Sequence, residues 1–214
     1  MFDKSAIKLI GFDLDQTLYA ESKETHLAYR KALYQMLGEC LKIDPKEAER
    51  LFIEGYAKLG SGTETVRALG IKNSERFSAE VSNIAQQHLF LTRDEKLLEL
   101  IEYLQKSYVL FLITASGEKS SYEKLEKLGV VPDIAFAYKI FGDSQHGGKT
   151  RGRSFAQLIA LSGRHPEEHL YVGDREAADI LPAKKAGMRT AMAWSNSRLA
   201  DFSIPTIYDL KKWV

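Results

Sequence analysis

Short, densely apolar runs alternate with longer amphipathic stretches over most of the chain. The runs occupy 8–14, 108–114, 134–136, 170–172 and 190–194. Between the later ones lie 95–106, 118–128, 154–162 and 180–186, whose apolar residues recur with helical spacing. Strand followed by helix followed by strand predicts a parallel sheet covered by helices on both faces. The unbroken apolar character of 108–113 suits a central strand buried on both sides.

The stretch from Glu21 to Thr92 has a different texture, with no convincing strand. His26, Tyr29, Arg30, Leu33 and Leu37 follow helical spacing. Asp44-Pro45-Lys46-Glu47 reads as a helix start, with Asp44 as cap, Pro45 in the first turn and Glu47 completing a capping box. Leu51, Tyr56 and Leu59 continue that helix until Gly60-Ser61-Gly62 breaks it. Val66, Leu69 and the run 77–91 predict two further helical pieces. A helical block at 21–92 thus interrupts an alternating α/β domain made of 1–20 and 93–214.

Composition adds boundaries to this picture. The chain has 214 residues, 44% of them hydrophobic and 28% charged, which suits one main domain with a large insertion. With 30 basic and 29 acidic residues the formal net charge is +1, giving no electrostatic case for a nucleic-acid polymer or an acidic membrane. Cys40 is the single cysteine, so no intramolecular disulfide forms and no cysteine cluster holds a metal. The N-terminus lacks the apolar stretch of a signal peptide, and the longest apolar run is too short to span a bilayer. A cytoplasmic location is expected.

Four segments carry candidate chemistry, each at the end of a predicted strand. In Gly11-Phe12-Asp13-Leu14-Asp15-Gln16-Thr17-Leu18-Tyr19 an apolar strand ends in two carboxylates two residues apart. In an extended chain these point to the same side, at the edge where open α/β sheets bind ligands. Two ionised carboxylates there call for a cation. Leu112-Ile113-Thr114-Ala115-Ser116-Gly117 ends the second strand in hydroxyl residues before a helix. Thr114 and the free N–H groups of the helix start can bind an anion, and an ordinary helix cap is the alternative. In Gly147-Gly148-Lys149-Thr150, Lys149 can meet a phosphate, with Lys139 as competitor. Tyr171-Val172-Gly173-Asp174 ends another strand, with Asp179 five residues on. Gly173 permits a tight exit, and Arg175 is expected to point away from the acids. Hard oxygen ligands favour magnesium over zinc.

The order of these four segments resembles the haloacid dehalogenase-like hydrolase superfamily over nearly the whole chain. Asp13-Leu14-Asp15-Gln16-Thr17-Leu18 is similar to its nucleophile motif, Thr114 to its hydroxyl motif, Lys149 to its lysine motif and Gly173-Asp174 with Asp179 to its acidic motif. The resemblance implies a Rossmann-like doubly wound sheet, with the 21–92 block as an all-helical mobile cap. It also implies catalysis by Asp13 as covalent nucleophile and Asp15 as acid and base. Magnesium would be bound by the Asp13 carboxylate, the Asp15 backbone carbonyl and Asp174, with Asp179 in support. Thr114, Ala115 and Lys149 would bind the phosphoryl group. Asp15 favours the phosphatase branch over the dehalogenases. Ala115 departs from the asparagine often found there, and Thr150 from a proline. A phosphomutase, a dehalogenase or a non-catalytic ligand-binding member are the alternatives. The implied partner is a small phosphorylated metabolite, for which Tyr19, Lys23, Tyr56 and Arg151 are candidate contacts.

Overall fold

The computed structural model describes residues 4–142 and 148–214. Gly147 of the lysine segment therefore lies outside the described residues. Six strands form one parallel sheet: β1 (Leu9–Phe12), β2 (Val109–Ile113), β3 (Tyr138–Ile140), β4 (His169–Gly173), β5 (Arg189–Ala193) and β6 (Phe202–Ile204). Their order is β3-β2-β1-β4-β5-β6. β1 pairs with β2 on one side, Gly11 opposite Phe111, and with β4 on the other, Gly11 opposite Tyr171. The chain thus leaves β1 toward β3, then crosses back to begin β4, which makes the β1–β4 boundary the switch point where such sheets bind ligands.

The central strands are apolar on both faces because helices cover both faces. α5 (Glu95–Gln105) and α6 (Glu118–Lys127) belong to one flank, α8 (Arg153–Ser162) and α9 (Leu181–Lys185) to the other. Phe111 is fully buried and stacks on Tyr171, their centroids 6.2 Å apart at 22°. Burial of such a side chain contributes roughly 1.5–3 kcal/mol. Gly11 is required beside it, since a Cβ there would meet the Phe111 ring at 1.9 Å.

His169 opens β4 fully buried, edge-on to Phe111. Its Nδ1 faces the His165 and Pro166 carbonyls at 2.9 and 3.3 Å and so donates, leaving Nε2 to accept from the Ser162 hydroxyl at 2.9 Å. Burial lowers its pKa, and the two carbonyls oppose that only in part. A lowered folded pKa means that the unfolded chain binds the proton first as pH falls. Stability is then lost below the unfolded value of about 6.5, by at most about 1.4 kcal/mol per pH unit. The urea midpoint of His169→Gln is expected to fall less than that of the wild type between about pH 7 and about pH 5. Equal slopes in the two proteins would dismiss His169 as the source.

Between β1 and α5 stand four helices, α1 (Lys23–Leu41), α2 (Pro45–Leu59), α3 (Gly62–Ala68) and α4 (Ser74–Ile84). Ser22, Asp44, Ser61 and Asn73 cap them with side-chain oxygens, each worth about 1 kcal/mol. Asp44 caps α2 as expected, but Glu47 turns outward to Arg50 rather than closing a capping box. Gly60 ends α2 with φ of +63°. The four helices share an apolar cluster of their own, including Leu33, Leu37, Phe52, Val66 and Phe77.

Two elements differ from the sequence reading. The 134–136 run is not a strand: Pro132–Ala135 forms the short helix α7, and the strand follows at Tyr138–Ile140. Pro132 suits a first helical turn, while Tyr-Lys-Ile is the pattern of an edge strand guarded by a lysine. The other is β6, which three residues at the opposite edge form without a readable period. No helix among the described residues is long and apolar enough to cross a membrane.

Candidate active site

β1 delivers Asp13 with its backbone pinned, since the Asp13 amide still donates to the Val172 carbonyl at 3.0 Å. Thr114 leaves β2 in the same way, its amide bonded to the Ile140 carbonyl at 3.0 Å. Asp13 is almost wholly buried. Oδ1 pairs with Lys149 Nζ at 2.5 Å, whereas Oδ2 has no hydrogen-bond partner among the described residues. Burial raises the Asp13 pKa to about 6 against the pull of Lys149.

Asp15 projects to the same edge but into different surroundings. Lys124 Nζ lies 2.5 Å from Oδ1, Tyr19 donates its hydroxyl to Oδ1 at 2.5 Å, and Ser116 donates to Oδ2. Burial works to raise its pKa, but Lys124, Ser116 and Tyr19 outweigh it and hold Asp15 below the usual carboxylate value. Lys124 is completely buried. It comes from the middle of α6, in a segment rich in lysine and glutamate, where sequence alone suggests a solvated face. Tyr19 likewise serves Asp15 and is not among the residues that line the cavity.

Gly173 and Asp179 form the next part. A π-helical turn, Glu176–Ile180, follows β4 and draws Asp179 back against the strand end. A Cβ on Gly173 would lie 2.3 Å from Cβ of Asp179, so glycine is needed for room, beyond the tight exit expected. Asp179 is fully buried, paired through Oδ1 with Lys149 and accepting from the Arg175 amide at Oδ2 at 2.9 Å. Asp174 accepts from the Thr17 hydroxyl at 3.3 Å, and burial raises its pKa to about 7. Contrary to expectation, Arg175 does not point away: Nε lies 3.7 Å from Asp174, and the residue lines the cavity. Lys149, not obviously placed by its motif to neutralise the acids, does so: its charge is favoured by Asp13 and Asp179 over the penalty of burial.

The acids suit a divalent cation. One carboxylate oxygen from each of Asp13, Asp174 and Asp179 lies within 4.8 Å of the others, all are hard donors, and Asp13 Oδ2 is unpartnered.

Asp13, Asp15, Thr114, Ala115 and Lys149 line one cavity of about 260 Å³. Asp174 and Asp179 stand behind Asp13, and Asp174 also borders an adjoining recess with Gln16 and Trp194. The facing wall comes from the helical block and includes Tyr29, Arg30, Phe52, Tyr56 and Gln87. Of the other candidate contacts, Tyr56 lines the cavity, Arg151 pairs with Glu64, and Lys23 is exposed away from the lining. Lys139 bonds the Phe136 carbonyl and Asp133, which removes it as competitor to Lys149. At the start of α6 several amides are already taken. Ser82 and Asn83 of α4 accept from the Gly117 and Ser120 amides at 2.8 and 3.1 Å, and Thr114 accepts from the Ser116 amide at 3.1 Å.

This arrangement has known counterparts. The sequence profile of the haloacid dehalogenase-like hydrolases matches residues 10–193, and the chain belongs to that family. It is 31% identical to a glyceraldehyde 3-phosphate phosphatase of Methanocaldococcus jannaschii, over 86% of this chain and 83% of that one. It is 28% identical to a phosphoglycolate phosphatase of Aquifex aeolicus, over 96% of both. A crystal structure of a HAD phosphatase from Thermococcus onnurineus shares the fold at a TM-score of 0.65, with 22% identity and 97% of each chain covered.

Proposed function

We propose that this protein is a magnesium-dependent phosphatase that hydrolyses small phosphate monoesters in the cytoplasm through an aspartyl-phosphate on Asp13. The observation that carries the reading is the division of labour between the two carboxylates. Asp13 is buried, with one oxygen on Lys149 and the other unpartnered. Asp15, two residues on, is held by its own lysine, serine and tyrosine. The names of the relatives agree with this class.

Asp13 attacks phosphorus in line; the P–O bond to the leaving group breaks as the Asp13–phosphorus bond forms. Asp15 gives the leaving oxygen its proton, then takes one from the water that attacks the aspartyl-phosphate. The resting site holds Asp15 ionised, which suits the second task. For the first, the negative charge of a bound phosphoryl group raises its proton affinity. Lys149 and the Thr114 hydroxyl bind the phosphoryl oxygens. A magnesium ion, held by Asp13, Asp174 and the Asp15 backbone carbonyl, would offset the repulsion between nucleophile and phosphate. Asp179 accepts the Arg175 amide at Oδ2, and its Oδ1 is ion-paired with Lys149 but accepts no hydrogen bond among the described residues; the pairing with Lys149 supports an indirect part for it.

The 21–92 block acts as a cap whose closure excludes water from the first step. Glu64 and Glu75 of the block meet Arg151 and Arg153 at 3.4 Å, polar links that can break and reform. The test is chelation: phosphate release from p-nitrophenyl phosphate is expected to vanish after EDTA and dialysis and to return with magnesium. Undiminished hydrolysis after chelation would overturn the reading.

A further inference from the structure

The cavity contains several charged side chains, and nearly all of them answer one another. Asp13 has Lys149, Asp15 has Lys124, Glu21 has His26 at 2.8 Å, and Glu75 has Arg67 at 2.5 Å. Even Arg175 has Asp174 within 4.0 Å. Arg30 is the exception. Among the described residues no carboxylate lies within 4.0 Å of its guanidinium, although it lines the cavity and is only part-exposed.

What surrounds Arg30 is aromatic. Its guanidinium carbon lies 5.1 Å from the Phe52 ring centroid and 5.9 Å from those of Tyr34 and Tyr56. Phe52 and Tyr56 are themselves stacked, 5.9 Å apart at 21°. Rings on that side hold the cation without neutralising it. A guanidinium has five N–H donors, and one is used, to the Tyr34 hydroxyl at 3.2 Å. The remainder form a pre-oriented fork of the kind that takes a carboxylate bidentately. A part-buried, charged and unpaired fork facing a cavity is costly unless something anionic visits it.

We propose that Arg30 is a specificity-determining residue that binds a second anionic group, a carboxylate, at the far end of a short phosphate monoester. This rests on the phosphatase reading of the same cavity. Lys149 and Thr114 take the phosphoryl end at the sheet edge, and Arg30 takes the other end on the wall formed by α1 and α2. The cavity volume of about 260 Å³ is below the range of roughly 300–1,000 Å³ for drug-sized ligands, which suits a small ester.

The test uses two esters of equal length in the presence of magnesium: 2-phosphoglycolate, with a carboxylate tail, and ethylene glycol monophosphate, with a neutral one. The wild type is expected to show a kcat/KM at least about tenfold higher on the first. Arg30→Gln is expected to lower kcat/KM on 2-phosphoglycolate roughly 30-fold, mainly through KM, and to affect the neutral ester far less. Arg30→Lys, which keeps the charge but loses the fork, should fall between them. If Arg30→Gln does not fold, the wild-type preference and Arg30→Lys still decide. Equal wild-type turnover of both esters, or equal losses on both in the variants, sinks the Arg30 subsite while leaving the phosphatase reading intact. Hydrolysis of neither ester, nor of p-nitrophenyl phosphate, sinks both.

Discussion

Asp13→Asn is expected to reduce phosphate release by at least about 10⁴-fold, equivalent to roughly 5.5 kcal/mol of lost transition-state stabilisation. The amide cannot form the acyl-phosphate, and no neighbouring group can replace it. Asp15 is the nearest candidate, but Lys124, Ser116 and Tyr19 hold both of its oxygens. The variant should still fold. Asp13 is a buried acid whose pKa is raised to about 6 by burial, so at neutral pH its charge is a burden that the amide removes. Lys149 keeps Asp179 as partner. The measurement is initial rate against a thermal melt of the same sample. A folded Asp13→Asn protein with wild-type turnover would exclude covalent catalysis by Asp13.

Lys149→Met is expected to damage both activity and stability. Lys149 touches Asp13 and Asp179 and is itself buried. Removing it strips the proposed phosphate ligand from the site, with an expected loss of about 10²–10³-fold in kcat. It also leaves buried carboxylates uncompensated, which costs on the order of 3–5 kcal/mol. The sign with pH follows from those carboxylates. Without Lys149 the folded pKa of Asp13, already raised by burial, rises further, so the penalty is greatest above that value and shrinks as pH falls and Asp13 takes up its proton. Urea unfolding should therefore show a larger deficit at about pH 8 than at about pH 5. Magnesium, binding the same acids, should recover part of the deficit at the higher pH. A Lys149→Met protein with wild-type stability and turnover would place the lysine outside the site.

Much of the architecture is legible in the chain because β strands buried on both faces must be apolar throughout. β1, β2, β4 and β5 announce themselves this way, and the helices between them follow from periodicity. The edge strands do not, because a strand at a sheet edge is short and half solvated. Tyr138-Lys139-Ile140 carries a lysine, and Phe202-Ser203-Ile204 has only three residues. The more apolar 134–136 run misleads, since its Ile134 is 75% exposed.

For the site, the sequence by itself determined the carboxylates. Asp13, Asp15, Asp174 and Asp179, with Thr114, sit at strand ends or in the turn just after, so a parallel sheet brings them to one edge whatever else the chain does. The tertiary structure alone decided which groups answer those charges. Lys124 lies 109 positions from Asp15 and Lys149 136 positions from Asp13. Before the fold is known Lys124 is one lysine among many, while Lys149 is marked by its motif as a phosphate ligand but not as the partner of Asp13 and Asp179. Arg175 depends on a π turn that has no sequence signature, and Arg30 on three rings from two helices that meet only when packed. The reason is physical: a strand end fixes the direction of its own side chain through the backbone, whereas a long flexible cation takes its position from whatever charge or ring lies within reach in the folded protein.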